Sequence, residues 1–416
     1  MNHLFQRCKV LLNGLIDKDI SISKIQNLFL HSALQKAVDD LECRISFACP
    51  RCHNQKQPVL PFCNSVQSSV DGNALIIAGR ICILAGIIAL VGGLFGCTHR
   101  FMDVENTPVG NFEALWQIID EKYCFLDEKK VDWDSVYSAY YPRFEKMQVV
   151  DYEDNYAYFD LMEAVVNELE DGHVNLYSFF DVSRCTSWYE GYALNFNSEL
   201  ISDKYLVGYR QAGGLTYNRI HSDSIGYVYY GSFSDEFSLA NAVAVFNYFK
   251  KCRGIVLDVR NNGGGSLENA YKLASLFYTQ DTVVGYWQHK SGAGHSDFSP
   301  LEPMKLEESK GYWQRPVIVL CNRHSYSATN FFVSIMRYLP HCLILGGKSG
   351  GGGGMPMSYE LPNGWLVRFS SVRMFDRDKV SIESGVMPQV VINQRSTDKD
   401  DLIESAVYVI NKAYER

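Results

Sequence analysis

The chain has 416 residues, 47% of them hydrophobic and 13% aromatic, which is enough to bury one or two sizeable cores and argues against disorder. Its net charge of -8, with no basic stripe, argues against nucleic acid as the main partner. Of its twelve cysteines, seven (Cys8, Cys43, Cys49, Cys52, Cys63, Cys82 and Cys97) fall in the first hundred residues. The others are scattered, odd in number and mostly within apolar runs, as expected of buried free thiols and not of a disulfide framework.

Residues 1–73 form an N-terminal extension of uncertain role. Cys49-Pro-Arg-Cys52-His53, followed by Cys63, resembles half of a zinc ribbon, but a closed structural site needs four well-spaced ligands and no second C-x-x-C is present. No metal and no cofactor are expected. Residues 74–97 are apolar except for Arg80, and the uninterrupted part, 81–96, is short for a bilayer span of about 20 residues but suits the apolar stretch of a signal peptide. It ends in Leu94-Phe95-Gly96-Cys97, which resembles a bacterial lipobox with Cys97 as the lipidated residue. The segment is expected to be a lipoprotein signal, with a true start near residue 70, or a single membrane span. Either places the chain beyond Cys97 in the cell envelope, facing the periplasm or exterior.

After a polar tether, residues 98–177 read as a small helical domain. Phe112-x-x-Leu115-Trp116-x-x-Ile119 is one amphipathic face, Trp133 to Tyr141 another, and Tyr156 to Leu169 a third. Gly172 is expected to end the third helix, so that His173 opens an extended segment. A histidine at such a junction is by default structural or exposed. Residues 178–224 read as a short linking segment.

From residue 225 onward the pattern alternates. Ile225 to Phe233 reads as a strand, Ser238 to Cys252 as a helix, Gly254 to Val259 as a buried strand that empties into Arg260-Asn261-Asn262-Gly263-Gly264-Gly265, and Leu267 to Tyr278 as a helix. Val317 to Cys321 is another buried strand, and apolar residues at helical spacing continue from it to Met336. This is an α/β core, in which sites collect where strands end and helices begin. Ser325 and Ser327 occupy one such junction. Either could serve as a helix cap, and either could be a nucleophile facing the positive end of the helix dipole. Gly347-Lys348-Ser349 supplies the tail of a phosphate-binding loop, but its leading glycine is Cys342, so that motif fails and Gly350 to Gly354 reads as a flexible turn. No G-x-S-x-G elbow surrounds either serine.

Asp258-Val259-Arg260-Asn261-Asn262-Gly263-Gly264-Gly265, then Ser325-Tyr326-Ser327-Ala328-Thr329-Asn330, then Glu383-Ser384-Gly385-Val386-Met387-Pro388, with Asp171-Gly172-His173 ahead of them, resemble the blocks of the tail-specific, or C-terminal-processing, serine peptidases and their tricorn-like relatives. The resemblance covers residues from about 111 to the C-terminus. It implies a crotonase/Clp-protease-like ββα core behind the helical domain, with residues 225–416 as the catalytic core. It also implies hydrolysis of peptide bonds in unfolded or C-terminal polypeptide segments. The family's nucleophile aligns with Ser327.

Tail-specific members use a lysine base in a glycine setting that corresponds to the run near Gly352, where this chain has no lysine. The tricorn-like branch uses a histidine and a glutamate, which implies His173 as base and Glu383 as the orienting carboxylate, a Ser-His-Glu variant of the triad. Such a histidine is expected to titrate at about 6 to 7. Backbone N–H groups of Gly263 or Gly264 and of Ala328 are expected to hold the oxyanion. Many relatives carry a peptide-binding PDZ module, but 178–224 is too short for one, so it is expected to be absent or vestigial. A catalytically silent binding protein and a crotonase-like acyl-CoA enzyme are the alternatives on the same fold. The oligomeric state is open.

Overall fold

The structure is a computed structural model that describes residues 104–414 except 150, 194 and 308–310. The expected 1–73 extension, the apolar segment 74–97 and Cys97 lie outside the described residues. Among the described residues, no helix is long and apolar enough to cross a membrane, and the five described cysteines are free, with Cys124, Cys252, Cys321 and Cys342 buried.

Four helices open the described chain: α1 (Pro108–Lys122), α2 (Leu126–Lys129), α3 (Trp133–Glu145) and α4 (Tyr152–Asn167). Helix α1 starts where Thr107 accepts a hydrogen bond from the Gly110 N–H and Pro108 supplies a preset φ. A capping box between Asp151 and Asp154 starts α4. The faces read from the sequence turn inward: Phe112, Leu115, Ile118 and Ile119 of α1 and Phe159, Met162, Val165 and Val166 of α4 are buried in one cluster. That cluster also contains Trp365, Val367 and Phe369, so the helices are packed onto a sheet and do not form a separate bundle.

That sheet has five strands: β1 (Asn175–Tyr177), β6 (Thr282–His289), β7 (Glu302–Leu306), β10 (Gly354–Glu360) and β11 (Leu366–Asp376). All its pairings are antiparallel, and β11 is its axis, with β10 along one edge and β1 then β6 along the other. The second sheet has seven strands in the order β12 (Val390–Val391), β9 (Cys342–Gly346), β8 (Val317–Cys321), β5 (Gly254–Asp258), β4 (Ile225–Tyr230), β3 (Leu215–Ile220) and β2 (Arg210–Ala212). From β12 to β4 it is parallel, and β3 and β2 extend it antiparallel. Every residue of β5 and β8 is buried, as their unbroken apolar runs imply for strands covered on both faces. The crossovers carry α6 (Leu239–Tyr248), α7 (Leu267–Ser275) and α8 (Ala328–Met336). Helices α5 (Ser198–Lys204) and α9 (Asp401–Tyr414) complete the chain.

Three expectations change. Residues 178–224 are more than a linking segment, because β2 and β3 extend the seven-stranded sheet and β3 pairs along the whole of β4. Helix α4 stops at Asn167, and Glu170, not Gly172, takes the left-handed conformation (φ 45°). Gly172 is small for another reason: a Cβ there would stand 2.5 Å from the Trp188 indole nitrogen and 3.0 Å from the Tyr326 hydroxyl. Nor are Gly350 to Gly354 a loose turn. All five are buried, and a Cβ on Gly352 would stand 2.5 Å from the Tyr326 ring.

Candidate active site

Two strand ends of the seven-stranded sheet build the site. Beyond β5, the Arg260 guanidinium is fully buried and pairs with Asp258 at 2.6 Å and Asp400 at 3.0 Å, while the Tyr227 hydroxyl donates to Asp258 at 2.8 Å. The two charges of the Asp-Val-Arg block are thus spent on each other and tie the strand end to the start of α9. Asn262 shapes the glycine loop: its Nδ2 donates to the Tyr230 carbonyl at 2.8 Å, and its Oδ1 accepts from the Gly264 N–H at 3.0 Å and the Thr329 hydroxyl at 2.7 Å. The loop is thereby pressed against the turn after β8, so close that a Cβ on Gly264 would stand 2.7 Å from the Ser327 Cβ.

The two serines of that turn separate cleanly. Ser325 is fully buried; its Oγ donates to the Val259 carbonyl at 2.8 Å and accepts from the Asn322 N–H at 3.0 Å, so it ties the turn to β5. Ser327 occupies the cap position of α8 yet makes no capping hydrogen bond. Its backbone has φ 57° and ψ -121°, a conformation that costs a non-glycine residue about 1–3 kcal/mol and persists only where surroundings impose it. The imposing contacts are hydrogen bonds from the Ser327 N–H to the Gly351 carbonyl and from the Gly350 N–H to the Ser325 carbonyl, both 2.8 Å. Strain that lifts a serine hydroxyl out of its capping role is what a nucleophile elbow does, here without the G-x-S-x-G sequence.

The freed Oγ lies 2.9 Å from Nε2 of His173. His173 is buried just before β1, its N–H donates to Asp171 Oδ1 at 2.8 Å, and its ring packs at 4.9 Å on the Tyr326 ring. Burial pushes the imidazole down to about 4, against the opposing pull of the Asp171 carboxylate. The ionisation expected at 6 to 7 is therefore displaced, because desolvation favours the neutral ring, the form that accepts a proton.

Glu383 lies in the same buried cluster but is not seen to orient the imidazole directly. Its Oε2 accepts from the Gly353 N–H at 2.8 Å and its Oε1 pairs with Lys129 Nζ at 3.1 Å. The group at His173 Nδ1 is the Ser370 hydroxyl of β11, at 3.4 Å. Burial and the nearby Asp171 carboxylate push Glu383 up to about 8, opposed by Lys129. Burial works against the Lys129 charge, but Asp171 and Glu383 hold its ammonium above the usual lysine range. Asp171, which also accepts from the Tyr123 hydroxyl at 2.7 Å, stays below the ordinary carboxylate range despite burial, through Lys129, His173 and those hydrogen bonds. Lys129, Ser370, Tyr123 and Tyr326 are parts of this cluster that the sequence did not single out.

Of the backbone donors expected at the oxyanion, the Gly264 N–H is committed to Asn262. The N–H groups of Gly263 and Ala328 have no acceptor among the described residues, and the glycine loop sets a Gly264 Cβ position 3.1 Å from the Ala328 nitrogen. A serine hydroxyl in contact with a neutral imidazole, beside two uncommitted N–H groups, is an arrangement that can support acyl transfer.

Fold and site together have the arrangement of a serine hydrolase, with the imidazole and the serine hydroxyl brought from different sheets. Residues 224–392 match Peptidase family S41, and residues 105–166 match the Tricorn protease C1 domain. The crystal structure of a Parabacteroides merdae protein is 44% identical, with a TM-score of 0.69 over 74% of this chain and 97% of that one. The carboxy-terminal processing protease CtpA of Bacillus subtilis is 25% identical over 42% of this chain and 36% of its own length. The carboxyl-terminal-processing protease of Picosynechococcus is 25% identical over 42% of this chain and 40% of its own. The chain thus spans roughly two fifths or less of the curated relatives it matches. It belongs to peptidase family S41.

Proposed function

We propose that the chain is a serine endopeptidase that hydrolyses peptide bonds in unfolded or C-terminal polypeptide segments through an acyl-enzyme. Ser327 Oγ attacks the scissile carbonyl while His173 Nε2 takes its proton, and the negative charge that develops on the carbonyl oxygen is received by the N–H groups of Gly263 and Ala328. The imidazolium then protonates the leaving amine, and water, deprotonated by the same ring, releases the acyl group and restores Ser327. Ser370 holds the ring at Nδ1. The Glu383 carboxylate, paired with Lys129, holds the Gly353 N–H just ahead of β10. The observation that carries this reading is the 2.9 Å contact between His173 and a strained serine that caps nothing.

The apolar run before Cys97 supports a lipid anchor on that residue, or a single span, with the catalytic unit outside the cytoplasm. Digesting an unstructured polypeptide with the wild type and with Ser327→Ala tests the activity: cleavage by the first alone is expected. Equal cleavage by both, or by neither in a well-folded protein, removes the peptidase role and leaves a binding protein on the peptidase fold.

A further inference from the structure

A cavity of about 340 Å³ lies behind the turn that carries Ser327, with charged side chains of both signs in its wall, Asp171, Glu383, Lys129 and Glu170 among them. A space of that size lined by charges takes in water. Neither His173 nor Ser327 lines it, although their chain neighbours Gly172 and Tyr326 do. The Tyr326 ring also packs on the imidazole at 4.9 Å, so it stands between the charged space and the base.

This ring is held from several sides. Its hydroxyl donates at 3.3 Å to Asp171 Oδ1, the oxygen that accepts from the His173 N–H at 2.8 Å, and burial, then Asp171, keeps the phenol protonated as a donor by pushing it well above its usual range. Trp188 stacks on it with centroids 4.1 Å apart and planes 30° apart. A Cβ on Gly350 would stand 2.8 Å from the Trp188 ring and 3.0 Å from the Tyr326 ring, so no side chain fits there. Half-buried Trp188 comes from the segment before α5, and Arg323 fastens it by donating through Nε to the Trp188 carbonyl and through Nη1 to the Ser349 carbonyl at 3.1 Å.

Resting on the peptidase reading, we propose that Tyr326 and Trp188 are positioning residues whose stacked rings seal the His173 imidazole from the charged cavity, keeping the base dry and pressed toward Ser327. Burial is the largest influence on the proton affinity of this imidazole; among charges, Asp171 favours the proton, while Arg368 of β11 and Lys129 of α2 oppose it. The Ser370 hydroxyl faces Nδ1. All four groups remain when either ring is removed, so the exclusion of water by the rings is read separately from the charges.

The test is the titration of His173 in the full chain, followed by NMR of histidine labelled with ¹³C at Cε1 and assigned by its loss in His173→Gln, alongside the acid limb of kcat/KM. The wild-type midpoint is expected at about 4. Tyr326→Ala opens the cavity onto the ring and should raise the midpoint to about 5.5 or above, toward the ordinary 6.5, with kcat at pH 8 about tenfold lower and KM little changed. Tyr326→Phe, which keeps the ring, should hold the midpoint near that of the wild type. Trp188→Ala should raise it by a smaller amount and Trp188→Phe should restore it; if Tyr326→Ala does not fold, the Trp188 pair decides. Rings that are packing alone would leave the titration unmoved. An unchanged midpoint in folded Tyr326→Ala or, failing that, Trp188→Ala overturns the seal, as does a Tyr326→Phe shift as large as that of Tyr326→Ala or a wild-type midpoint of 6 to 7. A protein whose imidazole responds as expected but which cleaves nothing keeps the seal and loses the peptidase role. One that cleaves while its imidazole ignores these substitutions does the reverse.

Discussion

Acid is the most informative perturbation of the site, because His173 is proposed as the base and its surroundings set its proton affinity. Burial brings the imidazole from its ordinary 6.5 to about 4, a displacement of 2.5, equivalent to roughly 3 kcal/mol in favour of the neutral ring. The base must be neutral in the free enzyme, so kcat/KM is expected to be full at neutral pH and lost as pH falls through about 4. At pH 5 a group titrating at about 4 is about 90% neutral, whereas one titrating at 6.5 is only about 3% neutral. Near-maximal activity at pH 5 is therefore expected. Stability has the same sign: the unfolded chain binds the proton more readily than the folded one, so this contribution is present above 6.5 and lost as pH falls toward about 4. The assay is kcat/KM for a quenched fluorescent peptide from pH 3.5 to 8, with near-UV circular dichroism at each pH to separate inactivation from unfolding. A half-maximal point at 6 to 7 in a protein still folded would refute a desolvated His173 as the base.

Ser327→Ala should lower turnover by about three to six orders of magnitude while leaving urea stability within about 1 kcal/mol, since the lost hydroxyl caps nothing. Ser325→Ala should do the opposite, costing about 1–3 kcal/mol because it strands the Val259 carbonyl and the Asn322 N–H, with a much smaller loss of turnover in the folded fraction. Ser370→Ala should lower kcat about tenfold with little change in KM, because it frees the imidazole at Nδ1 without touching the substrate; an unchanged kcat would remove Ser370 from the site. Lys129→Met should destabilise the fold by about 3 kcal/mol at pH 7, by leaving the buried Asp171 carboxylate without the ammonium that holds it ionised, and adding Asp171→Asn should recover most of that in denaturant titrations.

Much of the fold was legible because its signals are local. The unbroken apolar runs of β5 and β8 can only be strands covered on both faces, and the apolar faces of α1 and α4 have helical spacing. The serine and histidine were legible through short blocks that lie at strand ends. What the sequence hid is tertiary. Ser370 comes from the middle of β11 and meets His173 across 197 positions of chain, with no local mark to distinguish it from its neighbour Ser371. Lys129 ends a four-residue helix of the helical domain and reaches the Glu383 carboxylate only because that domain packs on β11. The glycines from 350 to 354 read as flexible from composition, whereas they are small because Tyr326, Glu383 and Ser370 crowd them. Position alone did not show that Ser325 is consumed by hydrogen bonds and Ser327 is not.

The central claim is that the Ser327 hydroxyl, activated by His173, is the nucleophile, and the most direct measurement is to treat the folded protein with a fluorophosphonate and locate the adduct by mass spectrometry. A single adduct on Ser327, absent from His173→Ala and undiminished in a variant altered only at exposed Glu199, is the expected result. An adduct on Ser325, or none at all in a folded protein that still cleaves polypeptide, would contradict it.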